Sequence, residues 1–274
     1  MNNASDSSTF PHCSKTMSDI TPHAEIRRAT PPLTVACADC PLRARPAFKP
    51  KSEDALALIQ SMKTAHLQRR AGTTIVAQGD DDTRLFTLFS GWAFRSRMLP
   101  DGRRQILNIL LPGDLLGLQA HLQDVSDHAI EALTDVELCQ FARTAVWKVF
   151  QHEPETAYEM AWLGSREESL VDENLTSVGQ RTARERMAAL VLSLYRRCRE
   201  LGLVENEAFD FPLTRLHLAD TLGLSLVHTI KTWTYLRRLG LFSFANGRLK
   251  LINPRLTERW AQAYDRPWRP RPLL

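Results

Sequence analysis

Leu213-Thr214-Arg215-Leu216-His217-Leu218-Ala219-Asp220-Thr221-Leu222-Gly223-Leu224-Ser225 is the stretch on which the reading of this chain turns. Thr214 is placed to cap a short helix that ends at Leu222. Gly223 then permits the left-handed conformation that sends the chain sharply away. Ser225 caps a second helix, Leu226 to Leu239, which stops at Gly240. Ala219 is small where the two helices must approach closely. Beyond them, Leu241–Phe244 and Arg248–Ile252 flank Asn246-Gly247, a strong hairpin-turn signal. Helix, turn, helix and hairpin make a winged helix-turn-helix, whose second helix enters the major groove of duplex DNA.

That placement nominates the residues that would touch DNA. With Leu236 and Leu239 taken as buried, the early turns of the second helix expose Ser225, Val227, His228 and Lys231. Lys231 can donate to guanine O6 or N7, or to phosphate. Val227 and Ile230 suit thymine methyl groups, and His228 can donate to base or phosphate. Thr214, Arg215 and Arg248 suit phosphates, which position a protein without reading sequence. Charge supports the assignment: residues 179–274 hold 17 Lys/Arg against 8 Asp/Glu, whereas 1–178 hold 18 against 23. A basic back half is the electrostatic mark of a partner that is a polyanion.

Working outward, Gly179 marks a break, and Thr182 to Cys198 forms an amphipathic helix with Met187, Leu190, Val191, Leu194 and Tyr195 on one side. Before it, Ala157, Gly164, Val171 and Val178 recur every seven residues, with Ala161, Glu168 and Leu175 in the adjacent row. This coiled-coil-like stripe predicts a long dimerisation helix, 154–178. Earlier still, glycines at 72, 79, 91, 102 and 113 punctuate short β-rich pieces, Thr73–Ala77, Leu85–Phe89, Ala93–Leu99 and Gln105–Leu110, with Asp101-Gly102 as a hairpin turn. Val136–Phe141 closes this β region, and Ser52 caps a short helix before it.

The expected organisation is therefore α+β. Residues 1–50 form a flexible extension, 51–153 a β-roll, 154–178 the dimerisation helix, 179–254 the winged helix-turn-helix and 255–274 a tail. No apolar run reaches the ~18 residues of a membrane span, and Met1 to Ser8 show no secretory pattern. The expectation is a cytoplasmic protein with no membrane partner. No phosphate loop, zinc-hydrolase helix or nucleophile elbow is found, so no enzyme is expected. The remaining enzyme reading, a thiol–disulfide site at Cys37 and Cys40, lacks the βαβ setting such sites use.

The order of parts resembles the CRP/FNR superfamily of bacterial transcription regulators. The likeness rests on Ser90-Gly91-Trp92-Ala93, on Leu99 to Leu107, on Leu111-Pro112-Gly113-Asp114-Leu115-Leu116-Gly117-Leu118 and on Arg181-Thr182-Ala183-Arg184-Glu185-Arg186-Met187-Ala188. It spans about Cys37 to Ile252. It implies a cyclic-nucleotide-binding-like β-roll, a homodimer on a palindromic operator and contacts to RNA polymerase. Three departures qualify it. Where cyclic-nucleotide-binding members carry an Arg-Ser pair, this chain reads Asp124-Val125-Ser126-Asp127-His128-Ala129, so cyclic AMP is not the expected ligand. Where oxygen-sensing members hold a 4Fe-4S cluster, Cys37 and Cys40 match two of three N-terminal ligands and Cys139 falls near the β-roll position. Arg45-Pro46 stands where the third is expected, leaving only Cys13 to complete the set. The match is therefore to the FNR/FixK branch with an incomplete cysteine motif. A redox or oxygen response is one expectation, and thiols that pair, share a metal or have no sensing role are others. The Glu, Ser and Arg that members often use for reading align with Val227, Ile230 and Lys231. Thr229 and Thr232 stand at positions usually apolar. A rival is a small-ligand or cyclic-nucleotide sensor acting through protein contacts.

Overall fold

A computed structural model describes residues 35–81, 84–263 and 269–274; Cys13 and most of the expected loose extension lie outside them. The described residues form one compact unit. Ser52 accepts a bond from the Ala55 amide and starts α1 (Glu53–Met62). The β-roll follows: β1 (Lys63–Arg69), β2 (Thr74–Val76), β3 (Leu85–Ser90), β4 (Ala93–Met98), β5 (Arg104–Leu110), β6 (Leu115–Leu116), the short α2 (Leu118–Gln123), β7 (Ala129–Ala132) and β8 (Val136–Phe141). Two four-stranded sheets result, ordered β1-β8-β3-β6 and β2-β7-β4-β5. Val76, Phe86, Leu88, Ala93, Leu110, Ile130 and Leu138 fill the space between them.

Each sheet also has an outer face, and each is covered. Alternation along β8 turns Leu138 into the roll and Cys139 and Phe141 outward, against α1, α3 (Ala145–His152) and the start of α4 (Pro154–Gln180). The outer face of β4 and β5 carries Phe94, Ile106 and Ile109 into the largest core cluster, shared with the C-terminal region.

The helix α4 runs past Gly179; the chain leaves helical geometry at Arg181, whose backbone is extended. The break lies there because Thr182 and Glu185 form a reciprocal capping box that starts α5 (Ala183–Glu200). The seven-residue stripe is split by packing. Ala157 is buried, and Gly164 faces Leu118 of the same chain's roll. The second row is exposed, with Leu175 at 69%. Further along, polar groups seat α4 on β5: the Asn174 amide donates to Leu107 O at 2.7 Å, and Asn108 to Glu167 at 2.8 Å.

The C-terminal region contains β9 (Ala208–Asp210), α6 (Arg215–Leu222), α7 (Leu226–Arg238), β10 (Phe242–Ala245), β11 (Arg248–Leu251) and α8 (Pro254–Ala261). Its small sheet, β10-β11-β9, carries Phe209 and Phe242 onto Trp233 and α5. The stretches at either end of the chain are not loose where described. Pro41 and Pro46 forbid a helix, yet 36–48 close into successive tight turns, Asp39 N to Ala36 O, Arg43 N to Cys40 O and Arg45 N to Leu42 O. Those turns bury Leu42, Ala47 and Phe48. At the far end, α8 packs on α5, and Arg271, Pro272 and Leu273 are buried against the roll.

Candidate nucleic-acid interface

Gly223, at φ +62°, is the left-handed residue between α6 and α7. A Cβ there would also stand 3.3 Å from Val178 Cγ1, so the backbone favours glycine and any side chain would need Val178 to give by a few tenths of an ångström. Thr214 Oγ1 accepts from the His217 amide at 3.1 Å, and Ser225 Oγ from the His228 amide at 3.3 Å. Both helices thus start on hydroxyl caps. Trp233 and Leu236 anchor α7, and Thr229 and Thr232 are buried beside them. Thr229 buries its hydroxyl without loss: Oγ1 donates to Ser225 O at 3.0 Å within its own helix, leaving the methyl to pack. Leu239, expected in the core, is 41% exposed. The helix ends at Arg238, and Leu239 belongs to the turn that follows.

The other face of α7 is open. Ser225, Val227 (63%), His228, Ile230 and Lys231 are all exposed, so the residues named for base contact share one accessible surface. Thr234 extends it and was missed; its spacing of three and four from Lys231 and Ile230 was the available signal. The phosphate candidates have different settings. Thr214 is exposed. The Arg215 guanidinium stacks 3.7 Å from the Trp233 ring centroid, which holds it against the domain with its edge half-exposed. Arg248 lies 3.6 Å from both Glu205 and Asp210, so it is already paired within the hairpin region. Asn246 and Gly247 both have positive φ, as the two-residue turn requires.

The reading head is held against the roll by α6. Phe94 lies 5.5 Å from the His217 ring, Arg104 pairs with Asp220 at 2.9 Å, and the Gln105 amide donates to Thr221 O at 3.1 Å. Burial, helped by Arg104, lowers the His217 pKa. Thr214 N donates to its Nδ1, a bond that the neutral ring accepts.

Cysteines from two distant parts of the sequence meet. Cys37 and Cys40, in the turns before α1, and Cys139 on β8 line one cavity of about 20 Å³ together with Lys63 and Arg43. Burial pushes the Cys37 and Cys139 thiols up, partly offset by Lys63. Cys198 lies elsewhere, buried in α5, its pKa raised to about 12. An iron–sulfur cube needs four soft ligands and room for eight atoms. The described residues bring three thiols to one cavity, one short of that set, so by themselves they do not complete the cluster's ligands. Among the described residues no group of three His, Cys, Asp or Glu side chains is set to hold a metal ion.

A second cavity, about 470 Å³, lies between the roll and α4, lined in part by Arg95, Gly117, His128 and Glu168. Asp114 holds two of its arginines, Arg166 at 3.5 Å and Arg271 at 2.8 Å; Arg95 lies 3.4 Å from Glu167, and its buried Nε has no hydrogen-bond partner among the described residues. Burial, with Arg95 beside it, drives His128 down to about 4. No helix among the described residues is long and apolar enough to cross a membrane.

A β-roll joined by a long helix to a winged helix-turn-helix, with an accessible basic reading helix, defines a DNA-binding transcription regulator. Family comparison agrees. Residues 67–153 match the cyclic nucleotide-binding domain, and 185–257 the Crp-like helix-turn-helix domain. The chain is 30% identical over 231 residues to the nitrogen fixation regulation protein FixK of Bradyrhizobium diazoefficiens, covering 83% of this chain and 94% of that one. It is 30% identical over 225 residues to the transcriptional activator protein FnrL of Cereibacter sphaeroides, covering 81% and 90%. The solved structure of FixK2 from Bradyrhizobium japonicum superposes with a TM-score of 0.67 at 23% identity, over 73% of this chain and 98% of that one. The chain belongs to the CRP/FNR family of transcription regulators, which are not enzymes.

Proposed function

We propose that the protein acts as a homodimer on a palindromic operator, with one α7 in each of two major grooves about one DNA turn apart. The observation that carries this is the open face of α7, with Val227, Ile230 and Lys231 together and uncovered. The exposed row of α4, Ala161, Glu168 and Leu175, supplies the surface for the second copy. Lys231 reads guanine, Val227 and Ile230 meet thymine methyls, and His228 and Ser225 donate or accept at the groove edge. Thr214, Arg215 and Arg248 face phosphates, Arg248 by exchanging its acidic partners. DNA as target places the protein in the cytoplasm. The relatives' names as activators support a contact with RNA polymerase. Selection of bound fragments from the native genome supplies the operator, and Lys231→Ala then tests the reading. Affinity for that operator should fall about 5- to 150-fold while binding to random DNA stays within twofold. Equal loss on both would remove Lys231 as a reader.

A redox response has its own support in the meeting of Cys37, Cys40 and Cys139 on one cavity. These thiols, rather than a 4Fe-4S cluster, are the sensing groups in this reading. Asp114 already holds Arg166 and Arg271 beside the larger cavity, which argues against a cyclic phosphate as signal. Change at the roll would alter the balance of head placements rather than create a new one. Operator affinity of reduced, oxidised and Cys→Ser protein tests this; identical affinities would exclude it.

A further inference from the structure

The last described segment, residues 269–274, lies within neither family match. It is also among the most tightly bonded parts of the molecule. Arg271 is buried, and its guanidinium donates to Gly113 O at 2.9 Å and Pro112 O at 3.0 Å. It pairs with Asp114 at 2.8 Å and lies 4.9 Å from the Phe48 ring centroid. Its backbone joins the segment before α1 on both sides: Arg271 N to Ala47 O at 2.8 Å, and Lys49 N to Arg271 O at 2.9 Å. Leu273 is buried, and Thr87 Oγ1 donates to Leu274 O at 3.1 Å. The approach is so close at Gly113 that a Cβ there would stand 2.2 Å from the Phe48 ring.

Asp114 is the common anchor. Besides Arg271 it holds Arg197 of α5 at 2.8 Å and Arg166 of α4 at 3.5 Å. One carboxylate, 2% exposed, thereby joins the β-roll, the long helix, the first helix of the reading head and the terminal segment. A cluster of this kind stabilises little for its desolvation; what it secures is one arrangement against its neighbours. The arrangement at stake is that of the reading head on the roll, because Arg197 belongs to the former and Asp114 to the latter.

We infer that residues 269–274 are a strap that sets the placement of the reading head, and that Arg271 is a positioning residue for DNA binding. The segment bonds to the roll and to residues 47–49, and it reaches the head through Asp114, which Arg197 of α5 shares. Its effect on DNA is one of geometry. Two heads fixed on their rolls meet half-sites at one separation without ordering on contact, whereas loosened heads must be ordered by the DNA itself. This inference rests on the dimeric reading proposed above.

The test is a series of operators whose half-sites are moved together or apart by single base pairs, with an isolated half-site as control. Wild type should favour one spacing sharply. Arg271→Ala leaves Asp114 with two arginines, so the fold should persist. It should lose about tenfold on the preferred spacing, the equivalent of about 1.4 kcal/mol, and bind the isolated half-site within twofold of wild type. Arg271→Lys restores the charge without the paired carbonyl bonds and should fall between, while the unchanged binding to the isolated half-site separates lost positioning from a folding defect. A wild type indifferent to spacing would overturn the dimer reading and the strap's positioning role with it. A sharp preference kept intact in Arg271→Ala would overturn the strap alone. Tighter operator binding by Arg271→Ala would also overturn it, since the segment would then be a restraint.

Discussion

The junction around Asp114 and the first turns of α7 both concentrate polar and charged groups, and they treat them in opposite ways. At the junction three arginines converge on one buried carboxylate inside the chain. Burial alone would raise the Asp114 pKa, but Arg271, Arg197 and Arg166 together hold it below the usual carboxylate range. On α7, His228 and Lys231 are exposed with no ion-pair partner among the described residues. The difference teaches where to look for function. Satisfied buried charge specifies the shape of this protein, and unsatisfied exposed charge is what it offers to a partner.

Exchanging the properties of the two regions should have unequal effects. The largest belongs to Asp114→Ala, which strands buried arginines and should destabilise by about 3–5 kcal/mol, read as the shift of a denaturant midpoint. Survival of the midpoint would break the contrast at its source. Next comes Lys231→Ala, with about 1–3 kcal/mol lost in operator binding and less than about 0.5 kcal/mol in stability, as suits an exposed residue. A measurable loss of stability there would show that α7 is not the free surface described.

Acid should act on the buried side of the comparison. His128 is held at about 4 in the folded protein, so between its ordinary value near 6.5 and 4 the unfolded chain binds more protons. Its contribution is full above that window and declines as pH falls through it. Between pH 6.5 and 5 the loss should be about 1–2 kcal/mol, followed by thermal unfolding and flattened by His128→Gln. His66 and His217, both lowered mainly by burial, add in the same direction. The smallest effect concerns Thr229→Val. The Ser225 carbonyl keeps its bond from the Thr229 amide, so stability should change by less than about 1 kcal/mol. A larger loss would mean that the buried hydroxyl matters for packing in a way its single bond does not suggest.

The reading head was legible because its signals are local. Thr214, Gly223, Ser225 and Asn246-Gly247 each act within a few residues, and each does in the structure what its chemistry dictates. The roll was legible in part: Val136–Phe141 is bounded as expected, but β1, β6 and β7 are short or lack turn residues on both sides. The seven-residue repeat in α4 was real, yet which row faces the roll depends on Leu118, some forty residues away. Leu239 misled because apolarity at helical spacing does not say where the helix ends. The extension was read as loose from its prolines and residues 255–274 only as a tail, since what fixes the described parts of both is non-local. Nothing near Arg271 in sequence announces Asp114. Cys139 was placed with Cys37 and Cys40 only by resemblance, and the structure brings the three to one cavity, one thiol short of a cluster's set.

The strap also has a consequence for the order of assembly in the cell. Arg271 lies 158 positions after Gly113, whose carbonyl it binds. A ribosome adding about 5–20 residues per second therefore exposes the roll for roughly 8–30 seconds before its anchor partner has been synthesised. During that interval Asp114 can meet Arg166 and later Arg197, but the junction stays open on one side. The head can therefore reach its final seat only after nearly all of the described chain has been made. A chain interrupted shortly before Arg271 would carry every residue of the reading surface and lack the part that orients it.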